Sequence, residues 1–396
     1  MSFLMAPLGE VLAPIKTWNP KRAVKTDPFD YIDLSSVDRD EKAIIAPTPT
    51  VPSEAPSRAR QLVDAGDILV STVRPNLNAV AVVDDELDGA TASTGFSVLR
   101  VVAEKATSRY IYHWVRTPAF VADMVRKATG ASYPAISDKI VAESLIPLPP
   151  IEEQRQIAGI LDAADALRRR RREALALLDT LPGAIFAEMF GVLTTSNRFP
   201  RGPLSNLITG FDTGKNLAPA SDEEGTRHRV LKVSAVTKGE FIESESKPLP
   251  AEYSPPASHF VKSGDLLFSR ANTSALIGAT AMVDDVSDNI VLPDKIWRFL
   301  VDEEKAERIF LHYLFGTRKF RDEVSRRATG SSGSMKNISK DKVLSIEVGQ
   351  PPIEMQREFS RRVRIARGMR TKVTEHLAEL EALFASLQSR AFAGAL

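Results

Sequence analysis

The sequence contains no cysteine. That excludes disulfides, thiolate metal sites and a cysteine nucleophile. Long hydrophobic runs are missing too; none approaches the ~20 residues needed to cross a bilayer. The opening stretch, MSFLMAPLGEVLAPIK, lacks the basic flank, apolar segment and small-residue cleavage site of a signal peptide. A cytoplasmic location is the expectation from these absences. A surplus of positive charge is also lacking: 52 Lys and Arg against 51 Asp and Glu leave a formal net charge of +1. Phosphate contacts supply most of the affinity of a lone DNA binder, which therefore carries a basic surplus. Near-neutrality argues against such a protein acting alone. It permits a subunit with a local basic face whose partners supply further contacts. The remainder is ordinary for a soluble globular chain, with 43% hydrophobic and 26% charged residues. At 396 residues it exceeds a single core and fits two domains with connecting elements.

What is present is a repeat of about 200 residues. A shift of 200 lays Val83-Asp84-Asp85 on Val283-Asp284-Asp285, Glu104-Lys105-Ala106 on Glu304-Lys305-Ala306, and Ala128-Thr129-Gly130 on Ala328-Thr329-Gly330. Between positions 81 and 130 there are 15 identities in 50, where composition alone gives roughly three. Earlier the offset is 198, with Gly66-Asp67-Ile68-Leu69 on Gly264-Asp265-Leu266-Leu267. Later it is 202, with Pro149-Pro150-Ile151-Glu152 on Pro351-Pro352-Ile353-Glu354 and Gln154-Arg155 on Gln356-Arg357. Loop insertions and deletions produce such drift.

Each half follows one plan. Short apolar runs broken by Gly, Pro and Asx residues, such as 67–73, 79–83 and 96–102, predict strands. A helix is expected over 110–126 and again over 310–326, followed by small-residue loops at 129–137 and 329–339. The Pro-Pro pairs then precede a long helical pattern. Ile157, Leu161, Ala164, Leu167, Arg171, Leu175, Leu178 and Leu181 fall three or four residues apart. So do Phe359, Val363, Ala366, Met369, Val373, Leu377, Leu380 and Leu383, each 202 residues on. A near-heptad stripe suits helices packed side by side, although any one such stripe equally suits a helix facing a core. Arg171 interrupts the first. If 151–181 is continuous helix it rises about 45 Å, and Pro182 should then kink it or start a new short one.

The segment from Ile146 to Ile157, IPLPPIEEQRQI, resembles the entry to the conserved helical region of type I restriction–modification specificity subunits. It recurs in weaker form as GQPPIEMQR over 349–357. GDILVS at 66–71 and GDLLFSR at 264–270 resemble a strand-leading motif of the family's target-recognition domains. The resemblance covers essentially the whole chain. It implies an α+β fold with two similar target-recognition domains, 1–148 and 193–350, in pseudo-twofold arrangement. Two long antiparallel coiled-coil helices, 149–192 and 351–396, would join them. It further implies a non-catalytic subunit in which each head reads half of a bipartite DNA target. Methyltransferase subunits, two in number, would dock on the helical regions and carry S-adenosylmethionine; a restriction–translocase subunit would use ATP and magnesium. No cofactor or metal is expected in this chain. Docking candidates are Gln154, Arg155, Gln356 and Arg357 at the helix starts, with Arg168, Arg169 and Arg172 from a run of five arginines. Such a run points all round a helix, so a solvated face is its plainest reading.

Base readout uses Arg for guanine and Asn or Gln for adenine. Candidates beside the Gly-Asp motifs are Ser71, Arg74, Asn76 and Asn78 in the first half, and Ser269, Arg270, Asn272 and Thr273 in the second. The Asn residues equally suit turns and the Arg residues surface ion pairs. Ser132 and Tyr133, and Ser332, Ser334 and Lys336, sit in small-residue loops that let a duplex backbone approach; a hinge is the other reading. The loops differ in sequence, which predicts an asymmetric target.

Catalysis within the chain finds no motif. Ser254-Pro255-Pro256-Ala257 lacks the amide or acid and the aromatic with which an amino-methyltransferase holds its base. Asp212-Thr213-Gly214-Lys215 has the wrong spacing for a phosphate loop. The histidines at 113, 228, 259, 312 and 376 lack metal-ligand spacing. Asp294 with Glu303, Glu304 and Lys305 imitates a magnesium nuclease, but the repeat puts Thr94 and Ala103 opposite Asp294 and Glu303. A protein-binding scaffold, two heads on a coiled coil, remains the alternative reading.

Overall fold

The computed structural model describes residues 3–23, 27–215, 227–250, 252–330 and 335–396. Ser332 and Ser334 lie outside them. The chain divides into two compact units, Met1–Ala174 with Val373–Leu396, and Leu175–Lys372.

In the first unit, four strands form a sheet in the order Leu12–Ala13, Phe96–Val101, Ile68–Ser71, Val80–Val82, every pairing antiparallel. A second sheet orders Thr48–Thr50, Phe29–Ile32, Thr91–Ser93 and Ala59–Leu62, with one parallel pairing between Phe29–Ile32 and Thr91–Ser93. The second unit repeats the first sheet strand for strand: Ile208–Thr213, Ile296–Val301, Leu266–Ser269, Thr280–Met282. Its second sheet keeps the parallel pairing (Arg229–Leu231 with Ile290–Val291) and has three strands among the described residues. Alternating burial explains the strands: Ile68 and Val70 face one core while Leu69 joins another on the opposite side.

The helix expected over 110–126 is two, Ser108–Trp114 and Pro118–Lys127. Val115 ends the first; Thr117 caps the second, its hydroxyl accepting from the Phe120 N–H at 3.2 Å, and Pro118 takes the first helical position. The second half breaks at the same place, Arg308–Gly316 then Arg318–Arg327, where Thr317 caps without a proline.

The long helices run Ile151–Phe190 and Ile353–Phe392, 40 residues each, or about 60 Å. Pro182 neither ends the first nor starts another; it lies inside it. Each unit takes the beginning of one helix and the end of the other, which fixes them as antiparallel. The apolar stripe divides its labour. Ile157, Leu161 and Ala164 enter the first head's core beside Tyr110 and Trp114, and Phe359 and Val363 enter the second beside Phe310. Further along, Leu167 and Met369 are about half exposed (49% and 53%). There the seam is polar instead. In the first unit Arg168 Nε donates to Glu381 at 2.9 Å and Arg172 also pairs with Glu381. In the second, Arg370 Nε donates to Asp179 at 2.5 Å.

Candidate nucleic-acid interface

Where the strand Ile68–Ser71 ends, the first head folds a loop onto a hairpin. Ser71 is buried and its hydroxyl donates to the Val73 carbonyl at 2.9 Å. Arg74 turns the chain through left-handed backbone (φ 51°) and its N–H donates to the Pro134 carbonyl at 2.7 Å. Asn78 closes the turn, again left-handed, with its amide reaching the Arg116 carbonyl at 3.3 Å. Asn tolerates that conformation by bonding locally. Val73 and Thr129 both bridge to Ala135. The result brings Arg74, Asn76, Ser132 and Tyr133 to one exposed loop cluster, with the Arg74 guanidinium 4.7 Å from the Tyr133 ring centroid. Ser71 and Asn78 are spent on holding it.

The second head builds the same device with other side chains. Ser269 is fully buried. The strand Ala271–Asn272 pairs antiparallel with Lys336–Asn337, so Asn272 lies opposite Lys336. The Asn272 side-chain Oδ1 accepts the Thr273 N–H at 2.8 Å, a local turn bond. Arg270 donates from Nε to the Asp294 carbonyl at 2.7 Å and from Nη2 to its carboxylate at 3.4 Å, 5.9 Å from the Trp297 ring centroid. Its Nη1 has no partner among the described residues. A guanidinium held by one edge keeps the Nη1–Nη2 edge for the O6 and N7 of guanine.

Asp294 therefore holds an arginine, and Glu303 pairs with Arg308 at 2.5 Å. The acidic triplet that imitates a nuclease is dispersed. Sequence reasoning placed Asp294 in that decoy; the signal for its real partner, an Arg and an Asp both absent from the twin head at Thr72 and Thr94, was readable from the repeat.

The docking candidates separate by burial. Gln154 and Gln356 are internal latches. Gln154 donates to the Pro149 carbonyl at 2.9 Å and accepts the Thr107 N–H at 3.1 Å; Gln356 does the same with Pro351 (2.9 Å) and Glu307 (3.1 Å). Arg168 and Arg172 are consumed by Glu381, and Arg168 also by Asp165 at 2.8 Å. Arg155, Arg169 and Arg357 remain exposed. Within the first unit, His113 Nε2 meets Asp162 at 2.8 Å and Arg109 pairs with the same carboxylate. Burial pushes Asp162 up, but hydrogen bonds from His113 and Arg109 outweigh it and hold the group down at about 2. Burial lowers His113 despite that neighbour, so the neutral ring donates from Nε2 and its buried Nδ1 lies without a partner.

A family described as the type I restriction modification DNA specificity domain matches residues 47–176. The Escherichia coli (strain K12) type I restriction enzyme EcoKI specificity subunit is 25% identical over 308 residues, covering 73% of this chain and 66% of its own. The MjaVIII specificity subunit of Methanocaldococcus jannaschii is 25% identical over 252 residues, 59% of this chain and 58% of its own. A chain solved in a study of complex assembly and conformational transition of the type I R-M system superposes with a TM-score of 0.63 at 25% identity, covering 100% of this chain and 98% of that one. The chain is thus similar in sequence and in fold to type I restriction–modification specificity subunits. The M. genitalium S subunit shares the fold at 11% identity, TM-score 0.57, with 98% and 96% covered. The alignments span 66% and 58% of the two curated relatives' own lengths.

Proposed function

We propose that this chain reads a bipartite duplex DNA target and performs no chemistry on it. One observation carries the reading: the same strand-end loop and hairpin are built twice, on the same four-stranded sheet, and carry different side chains. The first head carries Arg74 and Tyr133 there, and the second carries Arg270, held by Asp294, and Lys336, at positions that the repeat does not match to one another. Two copies of one frame with unlike tips suit two unlike half-sites of one split sequence. Phosphate contacts position such tips and base edges specify.

The exposed Arg155, Arg169 and Arg357 offer docking points for methyltransferase subunits, two of them in this reading, and a restriction–translocase subunit completes the assembly. S-adenosylmethionine, ATP and magnesium belong to those partners, and the assembly works in the cytoplasm. No helix among the described residues is long and apolar enough to cross a membrane. A scaffold binding only protein gives no reason for a guanidinium buttressed on one edge and open on the other. Binding-site selection with the assembled complex tests the reading. The expected product is one split motif with unlike halves and a fixed gap; salt-sensitive binding without sequence preference contradicts it.

A further inference from the structure

In each head a pair of backbone hydrogen bonds closes a loop that begins at a glycine. In the first head, Thr129 and Ala135 exchange backbone hydrogen bonds of 3.0 and 2.9 Å; in the second, Thr329 and Asn337 exchange two of 2.8 Å. Gly130 and Gly330 follow at φ +102° and +148°, where a side chain is strained. A Cβ on Gly130 would stand 3.0 Å from the Tyr133 carbonyl oxygen, and one on Gly330 would collide with the Met335 carbonyl oxygen. The offset of 202 lays Met335 on Tyr133. Both positions carry a large apolar side chain turned to solvent, Tyr133 at 68% and Met335 at 52% exposed.

Each is accompanied by a cation. The Arg74 guanidinium lies over the Tyr133 ring, and Lys336 follows Met335. Each is also fixed to the strand end that carries the reading candidates, through the Arg74–Pro134 backbone bond and the pairing of Asn272 with Lys336. An apolar side chain turned to solvent with a cationic flank matches the chemistry by which proteins push a wedge between base pairs while holding the adjoining phosphates. We infer that Tyr133 and Met335 are matched wedges, one per head, each entering a base step of its own half-site. This rests on the DNA-reading function proposed above. A π-face stacks on any base, whereas a thioether only fills the opened step, so the first head grips harder than the second.

The test uses the full chain assembled with its methyltransferase partner. The probes are target duplexes carrying a single 2-aminopurine, moved base by base through both halves. The wild type should raise fluorescence at one step in each half. Tyr133→Ala should abolish the rise in one half only and weaken binding about tenfold. Met335→Ala should abolish the other with a smaller loss, while Tyr133→Phe and Met335→Leu retain both. Sequence-selective binding with fluorescence unchanged in either Ala variant overturns the wedges and leaves the reader intact. So does a loss of methyltransferase assembly with the fluorescence response preserved. A wild type with no preferred sequence overturns the reading itself.

Discussion

Arg168 binds Glu381 across the long helices of the first unit, and a shift of 202 turns that pair into Arg370 and Asp179, which bind across the same helices in the second. The repeat thus extends beyond sequence to a reciprocal bond: the cation comes from the first helix in one unit and from the second helix in the other. The two are not equal. Arg168 is mostly buried, over the Phe384 ring at 4.2 Å and shared with Asp165, whereas Arg370 and Asp179 are about half exposed.

Glu381→Ala should therefore lower unfolding stability by about 1–2 kcal/mol, because it strips a mostly buried guanidinium of one partner. Asp179→Ala should cost under about 1 kcal/mol. Urea unfolding of both variants checks the order. Equal losses would mean that burial of Arg168 adds nothing.

Arg270→Ala should relax base preference at one position of the target by about 1–3 kcal/mol. Asp294→Ala should relax the same position, and the double variant should add little, since the carboxylate acts through the arginine. Binding-site selection reads all three. An unchanged motif, or loosening at unrelated positions, would make the Arg270–Asp294 pair merely structural.

Acid should weaken the fold in two stages. His312 packs against Thr280 and lies close to Arg367, and desolvation followed by that charge lowers it to about 4. An unfolded histidine titrates near 6.5, so the unfolded chain binds the extra proton first as pH falls. Stability is full above about 6.5 and drops by roughly 3 kcal/mol toward pH 4. His113 is lowered in the same sense. The hydrogen bonds that hold Asp162 at about 2 are lost later, between about 3.8 and 2. His312→Phe should flatten the first stage in pH-dependent thermal unfolding; an unaltered profile would remove His312 from it.

Charge reversal at Arg155, Arg169 and Arg357 should weaken capture of the methyltransferase subunit while leaving thermal stability within about 0.5 kcal/mol of the parent. Gln154→Ala and Gln356→Ala should do the opposite, costing about 2–3 kcal/mol by orphaning buried backbone groups. Pull-down and melting measured together separate the two sets; a stable Gln356→Ala variant would refute its role as a latch.

The duplication, the strands and the two long helices were legible in the sequence because periodic burial writes itself into residue order. Recurrence of Gln154 and Gln356 was legible as well, but not its meaning, since a glutamine that binds its own helix entry looks like one awaiting a partner. The Pro-Pro step four and five residues earlier was the available clue. The break at Thr117 was visible in Thr-Pro, and at Thr317 it was hidden without the proline. Met335 was invisible as a site residue until the backbone hairpin set it on Tyr133. Burial of Ser71 and Ser269 follows from side-chain direction along a strand end, which neither composition nor spacing reports.

Methylome sequencing of a host with and without this gene tests the central claim most directly. The account predicts one split motif with two unlike halves and a constant gap, modified only when the gene is present. A methylation pattern indifferent to the gene, or a motif whose two halves are the same sequence, would contradict two unlike heads reading one target.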